Sequence, residues 1–268
     1  MTVWCNGNFV ESLTLDPAER GLMLGDGIFE TIAVRDGKPI WLKPHMTRMG
    51  EAARIFGIPF NEIEIQNGIA AVLAESRQST EVLRITLTRG PTPRGLAITG
   101  DNPTLVVSLN PFDQSKLPQS VRLARSSVER YAGSPASRFK TLSYIDAVLA
   151  AREVADRADD ALMLNANGRV ACSTVANIFL LKEQSLITPS GGEAILPGIT
   201  RAKLSGGARE LGLELQLRPV EYEELHAAEA VFLTNSLRLA TRVSLIDGKF
   251  CGTRDISFIN AFFERNLT

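Results

Sequence analysis

Lys140 is one of only seven lysines among the 29 basic residues of this 268-residue chain. It stands in FKTLSY, Phe139 to Tyr144, between an expected loop and an expected helix. Partial removal from water there lowers the proton affinity of an ammonium enough for it to form a Schiff base with an aldehyde. The same residues also describe an ordinary solvated lysine beside a helix start, the commoner use of this residue type. Pro197 to Arg201 (PGITR) brings together a turn, a hydroxyl and the first N–H groups of a helix, a combination that holds phosphate or simply caps a helix. Thr234, Asn235 and Ser236 form a second donor-rich turn after an apolar run. Arg48, one helical turn beyond His45, can offer two hydrogen bonds to a phosphate, and reads as readily as an exposed arginine.

Other chemistries find less support. There is no Walker A sequence, and Gly21, Gly25 and Gly27 do not make the dinucleotide fingerprint, so Leu22 to Thr31 reads as a loop entering a strand. Nothing brings Asp26, Glu30 and Asp146 together as a paired-carboxylate hydrolase would require, and His45 reads as structural. The basic stretch Arg122 to Arg130 has no interleaved aromatics and reads as a solvated strand edge.

The elements that must position these groups follow from periodicity. Strands are expected at Val3 to Val10, Phe29 to Val34, Pro39 to Leu42, Glu81 to Thr88 and Pro103 to Asn110, with helices from His45 to Phe56 and Glu62 to Glu75. Residues 1–112 thus read as a small N-terminal α+β domain. The polar stretch Asp113 to Ser120 (DQSKLPQS) reads as the interdomain linker, and 121–268 as the larger domain. In the latter, strands are expected at Ser120 to Ser127, Asp160 to Asn165, Val175 to Lys182, Leu213 to Pro219 and Ala230 to Thr234. Helices are expected at Ser143 to Arg157, Ile199 to Gly212 and from Ile256 onward, with Tyr131 to Arg138 as a loop.

Composition narrows the classes further. A net charge of −1 argues against a dedicated nucleic-acid binder. Cys5, Cys172 and Cys251 are far apart, and with only His45 and His226 beside them they make no metal-ligand pattern, so free thiols and no metal are expected. No signal peptide and no membrane-length apolar run is read, so the expectation is a soluble cytoplasmic protein.

Six segments in this order, LGDGIFET (Leu24 to Thr31), HMTR (His45 to Arg48), FKTLSY, ANIF (Ala176 to Phe179), GITR (Gly198 to Arg201) and TNS (Thr234 to Ser236), resemble the class IV aminotransferases, the fold type IV pyridoxal phosphate enzymes. That family includes branched-chain and D-amino acid aminotransferases and 4-amino-4-deoxychorismate lyase, and the chain is most similar to the lyase in length and layout. The resemblance implies an α+β fold of two domains, the larger a mixed β-barrel-like domain, with pyridoxal 5'-phosphate between them. It implies a homodimer whose partner subunit helps line the pocket for a small amino substrate. It makes Lys140 the Schiff-base lysine and assigns Arg48, Ile199, Thr200, Thr234, Asn235 and Ser236 to the cofactor phosphate. Five residues before Asn177, where the family carries a glutamate facing the pyridine nitrogen, this chain has Cys172. A thiol, with an ordinary pKa of about 8.5 against about 4 for a carboxylate, need not hold that nitrogen protonated. The expected reaction is therefore elimination of pyruvate from 4-amino-4-deoxychorismate to give p-aminobenzoate. The alternatives are an aminotransferase for branched-chain or D-amino acids, with Arg94 as candidate for the substrate carboxylate, and a catalytically silent cofactor-binding protein.

Overall fold

The computed structural model describes residues 1–98 and 100–267. The chain falls into two compact units, Met1–Lys116 with Phe139–Ser143, and Leu117–Arg138 with Tyr144–Leu267. No helix among the described residues is long and apolar enough to cross a membrane.

The first unit holds β1 (Thr2–Cys5), β2 (Asn8–Phe9), α1 (Arg20–Leu24), β3 (Gly27–Arg35), β4 (Lys38–Pro39), α2 (Leu42–Phe56), α3 (Glu62–Ala74), β5 (Thr80–Thr88) and β6 (Leu105–Pro111). The strands form one antiparallel sheet in the order β2-β1-β6-β5-β3-β4. Strand β5 shows why: Leu83, Ile85 and Leu87 alternate onto a face where they meet Ile32, Val107, Met46, Met49, Ile65 and Ile69, while Arg84 and Thr86 are left on the other. Helix α2 supplies Met46 and Met49 at helical spacing, and Asn61 caps α3 by accepting from the Glu64 N–H. Three details differ from expectation. The strand expected from Val3 to Val10 turns back at Asn6 and Gly7, both at positive φ, and becomes the antiparallel pair β1 and β2. Trp41 adopts a left-handed conformation (φ 52°) that ends the strand before it and starts α2 at Leu42, so the run from Pro39 to Leu42 is not a strand. The expected loop from Leu22 contains the end of α1, closed by Gly25 at φ 65°.

The second unit holds β7 (Ser120–Arg125), α4 (Pro135–Arg138), α5 (Ile145–Val154), β8 (Asp160–Leu164), β9 (Val170–Ser173), β10 (Asn177–Lys182), β11 (Ser185–Pro189), α6 (Ile199–Gly207), β12 (Glu214–Arg218), α7 (Glu224–Ala227), β13 (Ala230–Asn235), β14 (Leu239–Ile246), β15 (Lys249–Phe250) and α8 (Ser257–Arg265). Strands β10, β13, β14, β7, β8 and β9 pair in succession, and β9 pairs back onto β10 through Cys172 opposite Asn177, which closes a barrel-like ring. Val121, Leu123, Leu162, Ile178, Val231 and Val243 belong to its buried core. Helix α6 packs on β13, α5 on β8 and α8 on β14.

The ring corrects the reading of Arg122 to Arg130: β7 lies between β14 and β8, parallel to both, and is not an edge. Its arginines instead stand outward, Arg122 paired with Asp159 at 2.8 Å, while Val121 and Leu123 face in. The stretch read as a loop at Tyr131 to Arg138 ends in α4, and the segment read from Val175 begins as a strand at Asn177, with β9 unforeseen before it. A single cut in the 113–120 stretch also misses the return of Phe139–Ser143 to the first unit. Main-chain hydrogen bonds to β3 hold that segment there.

Candidate active site

In the first unit Lys140 is held by its main chain. The Phe29 N–H donates to the Lys140 carbonyl and the Leu142 N–H donates to the Gly27 carbonyl, each at 2.9 Å. The segment thus lies along the start of β3, with Ile28 bridged to Thr141. The Lys140 Nζ sits 4.2 Å from the centroid of the Phe29 ring, and the Arg84 guanidinium sits 4.0 Å from the same centroid. Burial pushes the Lys140 amine down to about 8; Arg48 and Arg84 act in the same direction and the Glu30 carboxylate opposes them. At pH 7 roughly a tenth of such a lysine is the neutral nucleophile, against well under a thousandth for an ordinary one.

Next to this lysine is a buried ion cluster. His45 and Arg48, three residues apart on α2, face the same side of the helix and both reach Glu30. Arg48 donates from Nε to Oε1 at 2.8 Å and from Nη2 to Oε2 at 2.6 Å, and His45 Nδ1 lies 2.7 Å from Oε2. A carboxylate oxygen accepts, so the ring proton of His45 is on Nδ1. Burial works to raise the Glu30 carboxyl, but the hydrogen bonds from His45 and Arg48 hold it below the usual range. Burial likewise keeps His45 neutral, its pKa lowered despite Glu30.

In the second unit, the ring brings a different set together. Asn177 stands opposite Cys172 on one side and Thr234 on the other. Thr200, in the first turn of α6, and Thr234, at the end of β13, are both buried, and the hydroxyl oxygen of each has no hydrogen-bond partner. Buried hydroxyls are ordinarily satisfied, so two orphans on packed neighbours mark a place built for an acceptor. Ile199 and Thr200 open α6 behind Gly198, which provides no side-chain cap, leaving the first N–H groups of the helix for a ligand. Asn235 accepts from the N–H groups of Leu237 and Arg238 and so shapes the turn that contains Ser236. Cys172 is buried in β9; burial pushes its thiol up, with Arg130 opposing and Asp160 assisting, so at neutral pH it is uncharged.

The sites named from sequence therefore fall in two groups. Lys140 and Arg48 share the first unit, where Arg48 already engages Glu30. Cys172, Ile199, Thr200, Thr234, Asn235 and Ser236 share the second. Arg94 is exposed in the loop between β5 and β6. The sequence reading gave no role to three residues the structure brings forward, Glu30, Arg84 and Asn177. Glu30 two strand positions from Ile28 and opposite Ile85 is a carboxylate in an apolar strand, and that was its one visible signal.

Known proteins resemble this chain in both sequence and fold. Residues 27–246 match the model of the amino-transferase class IV family. The chain is 28% identical over 243 residues to an aminodeoxychorismate lyase of Bacillus subtilis, covering 88% of this chain and 83% of that protein. Its structure is similar to that of a putative 4-amino-4-deoxychorismate lyase from Legionella pneumophila, with a TM-score of 0.88 and 31% identity, covering 96% of each chain. It is also similar to the T.th. branched-chain amino acid aminotransferase complexed with N-(5'-phosphopyridoxyl)-L-glutamate, with a TM-score of 0.89 and 26% identity, covering 98% of this chain and 93% of that one. The chain belongs to amino-transferase class IV, a family of pyridoxal phosphate-dependent enzymes.

Proposed function

We propose that this enzyme is a lyase that converts 4-amino-4-deoxychorismate to p-aminobenzoate and pyruvate. The observation that carries the reading is the buried, uncharged thiol of Cys172, a residue that the resemblance of the ANIF segment puts at the place of the family's glutamate. Pyridoxal phosphate, when bound, supplies an aldehyde for a lysine amine and a pyridine ring that draws electron density from the substrate. Cys172 offers that ring no carboxylate, which disfavours transamination more than an elimination driven by formation of an aromatic ring. The relatives named as lyases support the same reading.

The residues present fit the cofactor. Lys140, with its amine lowered to about 8, is suited to hold the aldehyde and then to move a proton. Its Nζ would take the proton from the amine-bearing carbon of the substrate and, as the ring C–O bond to the carboxyvinyl group breaks, give a proton to the methylene carbon of the departing enolpyruvate, which leaves as pyruvate. The orphan hydroxyls of Thr200 and Thr234, with the N–H groups at Ile199 and Thr200 and the turn at Asn235 and Ser236, are suited to the phosphate. Arg48 adds positive charge while braced by Glu30. Arg84, which shares the Phe29 ring with Lys140, and Arg94, in the loop between β5 and β6, are the two candidates to meet a substrate carboxylate. The assembly that goes with this reading is a homodimer, which light scattering would test.

The second reading is an amino acid aminotransferase, favoured by the likeness to the branched-chain enzyme. Incubation of purified holoenzyme with 4-amino-4-deoxychorismate, and separately with D- and L-amino acids plus 2-keto acids, decides between them. Release of p-aminobenzoate supports the proposal; amino transfer without that release overturns it.

A further inference from the structure

Asn177 does more than continue a strand. Its main chain lies between Cys172 of β9 and Thr234 of β13, at the rung that closes the ring. Its side chain leaves the ladder, and Nδ2 donates to the Leu196 carbonyl at 2.9 Å. Two residues further on is Gly198, which precedes α6, and a Cβ there would overlap Asn177 Oδ1. The backbone of Gly198, at φ −66° and ψ 141°, is open to any residue, so glycine is needed for space and not for conformation. One amide thus holds the entry to α6 from both sides: it is hydrogen-bonded before the turn and in contact within it.

The residues fixed in this way are those with unsatisfied hydroxyls. Thr200 follows Gly198 by two positions, and Thr234 is the strand neighbour of Asn177 itself. We propose that Asn177 is a positioning residue for the anion site, setting where α6 begins relative to Thr234 so that both hydroxyls and the first helical N–H groups converge on one phosphate. This rests on the reading that these groups hold the cofactor phosphate. Because the strand pairing of Asn177 uses its main chain, changing the side chain alters the placement of α6 while leaving the ladder its hydrogen bonds.

The test compares two probes on cofactor-free protein, pyridoxal 5'-phosphate and pyridoxal, by absorbance titration, with thermal unfolding followed in parallel. Wild type should prefer the phosphorylated probe. Asn177→Ala should reduce that preference by on the order of tenfold, the effect of a lost and misplaced hydrogen bond, with pyridoxal affinity unchanged. Gly198→Ala should act in the same direction. Combined with Asn177→Ala it should do no further harm, because the atom it would strike has gone; such non-additivity identifies direct contact. Should Asn177→Ala not fold, Asn177→Leu, of similar size but with neither the donor to Leu196 nor a charge, reads the same ratio.

A preference retained in full by the Asn177 variants overturns the proposal. So does an equal loss for both probes, which marks a general structural defect, or strict additivity of the two substitutions. A wild type that binds both probes equally overturns the phosphate reading itself, and that result is seen before any variant is made.

Discussion

The Arg48 guanidinium grips the Glu30 carboxylate through two hydrogen bonds, 2.8 and 2.6 Å long, and the Glu30 side chain is 1% exposed. Removing one partner of a buried pair leaves the other charge without compensation, so Glu30→Ala should cost about 3–5 kcal/mol in urea unfolding. The cluster also sets an acid limit. His45 is lowered from 6.5 and Glu30 from 4.5 in the folded state, so in each case the unfolded chain takes up a proton first as pH falls. Stability should decline below about pH 6.5 through His45 and again below about pH 4.5 through Glu30. A Glu30→Ala protein as stable as the parent would show that the cluster contributes nothing net.

Lys140 should react with trinitrobenzenesulfonate in cofactor-free protein with a half-maximal rate near pH 8, well below an ordinary lysine at 10.5. The direction follows from the nucleophile being the neutral amine, which a lowered pKa makes available at lower pH. Lys140→Ala should abolish the yellow colour of the holoenzyme. Peptide mapping after borohydride reduction checks the position: an adduct on another lysine would remove this assignment.

Thr200→Val should separate stability from binding. The Thr200 hydroxyl is buried without a partner, so replacing it with an isosteric methyl should leave the cofactor-free protein as stable or more so, by about 1 kcal/mol. Affinity for pyridoxal phosphate should nonetheless fall roughly three- to tenfold. Arg48→Ala, which removes a charge, should weaken it by about 10- to 100-fold. Calorimetry of both proteins with and without cofactor checks the opposed signs, and unchanged affinities would place the phosphate elsewhere.

Cys172→Glu should introduce a carboxylate into a buried strand position and destabilise the cofactor-free protein by several kcal/mol. Loading the cofactor should restore much of that, since the carboxylate then gains a protonated nitrogen as partner. Single-turnover spectra with one amino donor should show faster conversion of the cofactor to its amine form than in the parent. Equal rates would make the replacement chemically silent and deprive the lyase reading of its main physical support.

The first unit was largely legible because its elements have one wet and one dry face. Strand β5 alternates cleanly, and α2 shows Met46, Met49 and Ala53 at helical spacing. In the ring this signal fades. Strand β9 is four residues, all buried, with no alternation to find, and β14 is interrupted by Arg242 and Ser244. Lys140, Thr200 and Thr234 were visible through residue type and motif. Asn177 and Arg84 were not, since an asparagine beside Gly198 and an arginine over Phe29 acquire meaning only from neighbours remote in sequence. Glu30 was seen and set aside for the same reason: its partners lie on a helix, one turn apart, and nothing local announces them.

The return of Phe139–Ser143 to β3 bears on how the chain is made. Synthesis proceeds from the amino end, and domains commonly fold as they emerge from the ribosome. Here the carbonyl of Gly27 and the N–H of Phe29 have partners, Leu142 and Lys140, that are translated only after β7 and its following loop. The nascent first unit therefore waits with one rim of its sheet unpaired, a template for wrong neighbours until the lysine segment arrives. Severing the gene between residues 116 and 117 would strand that segment on the wrong fragment, so the two halves should regain full colour with cofactor only when they are present together during refolding.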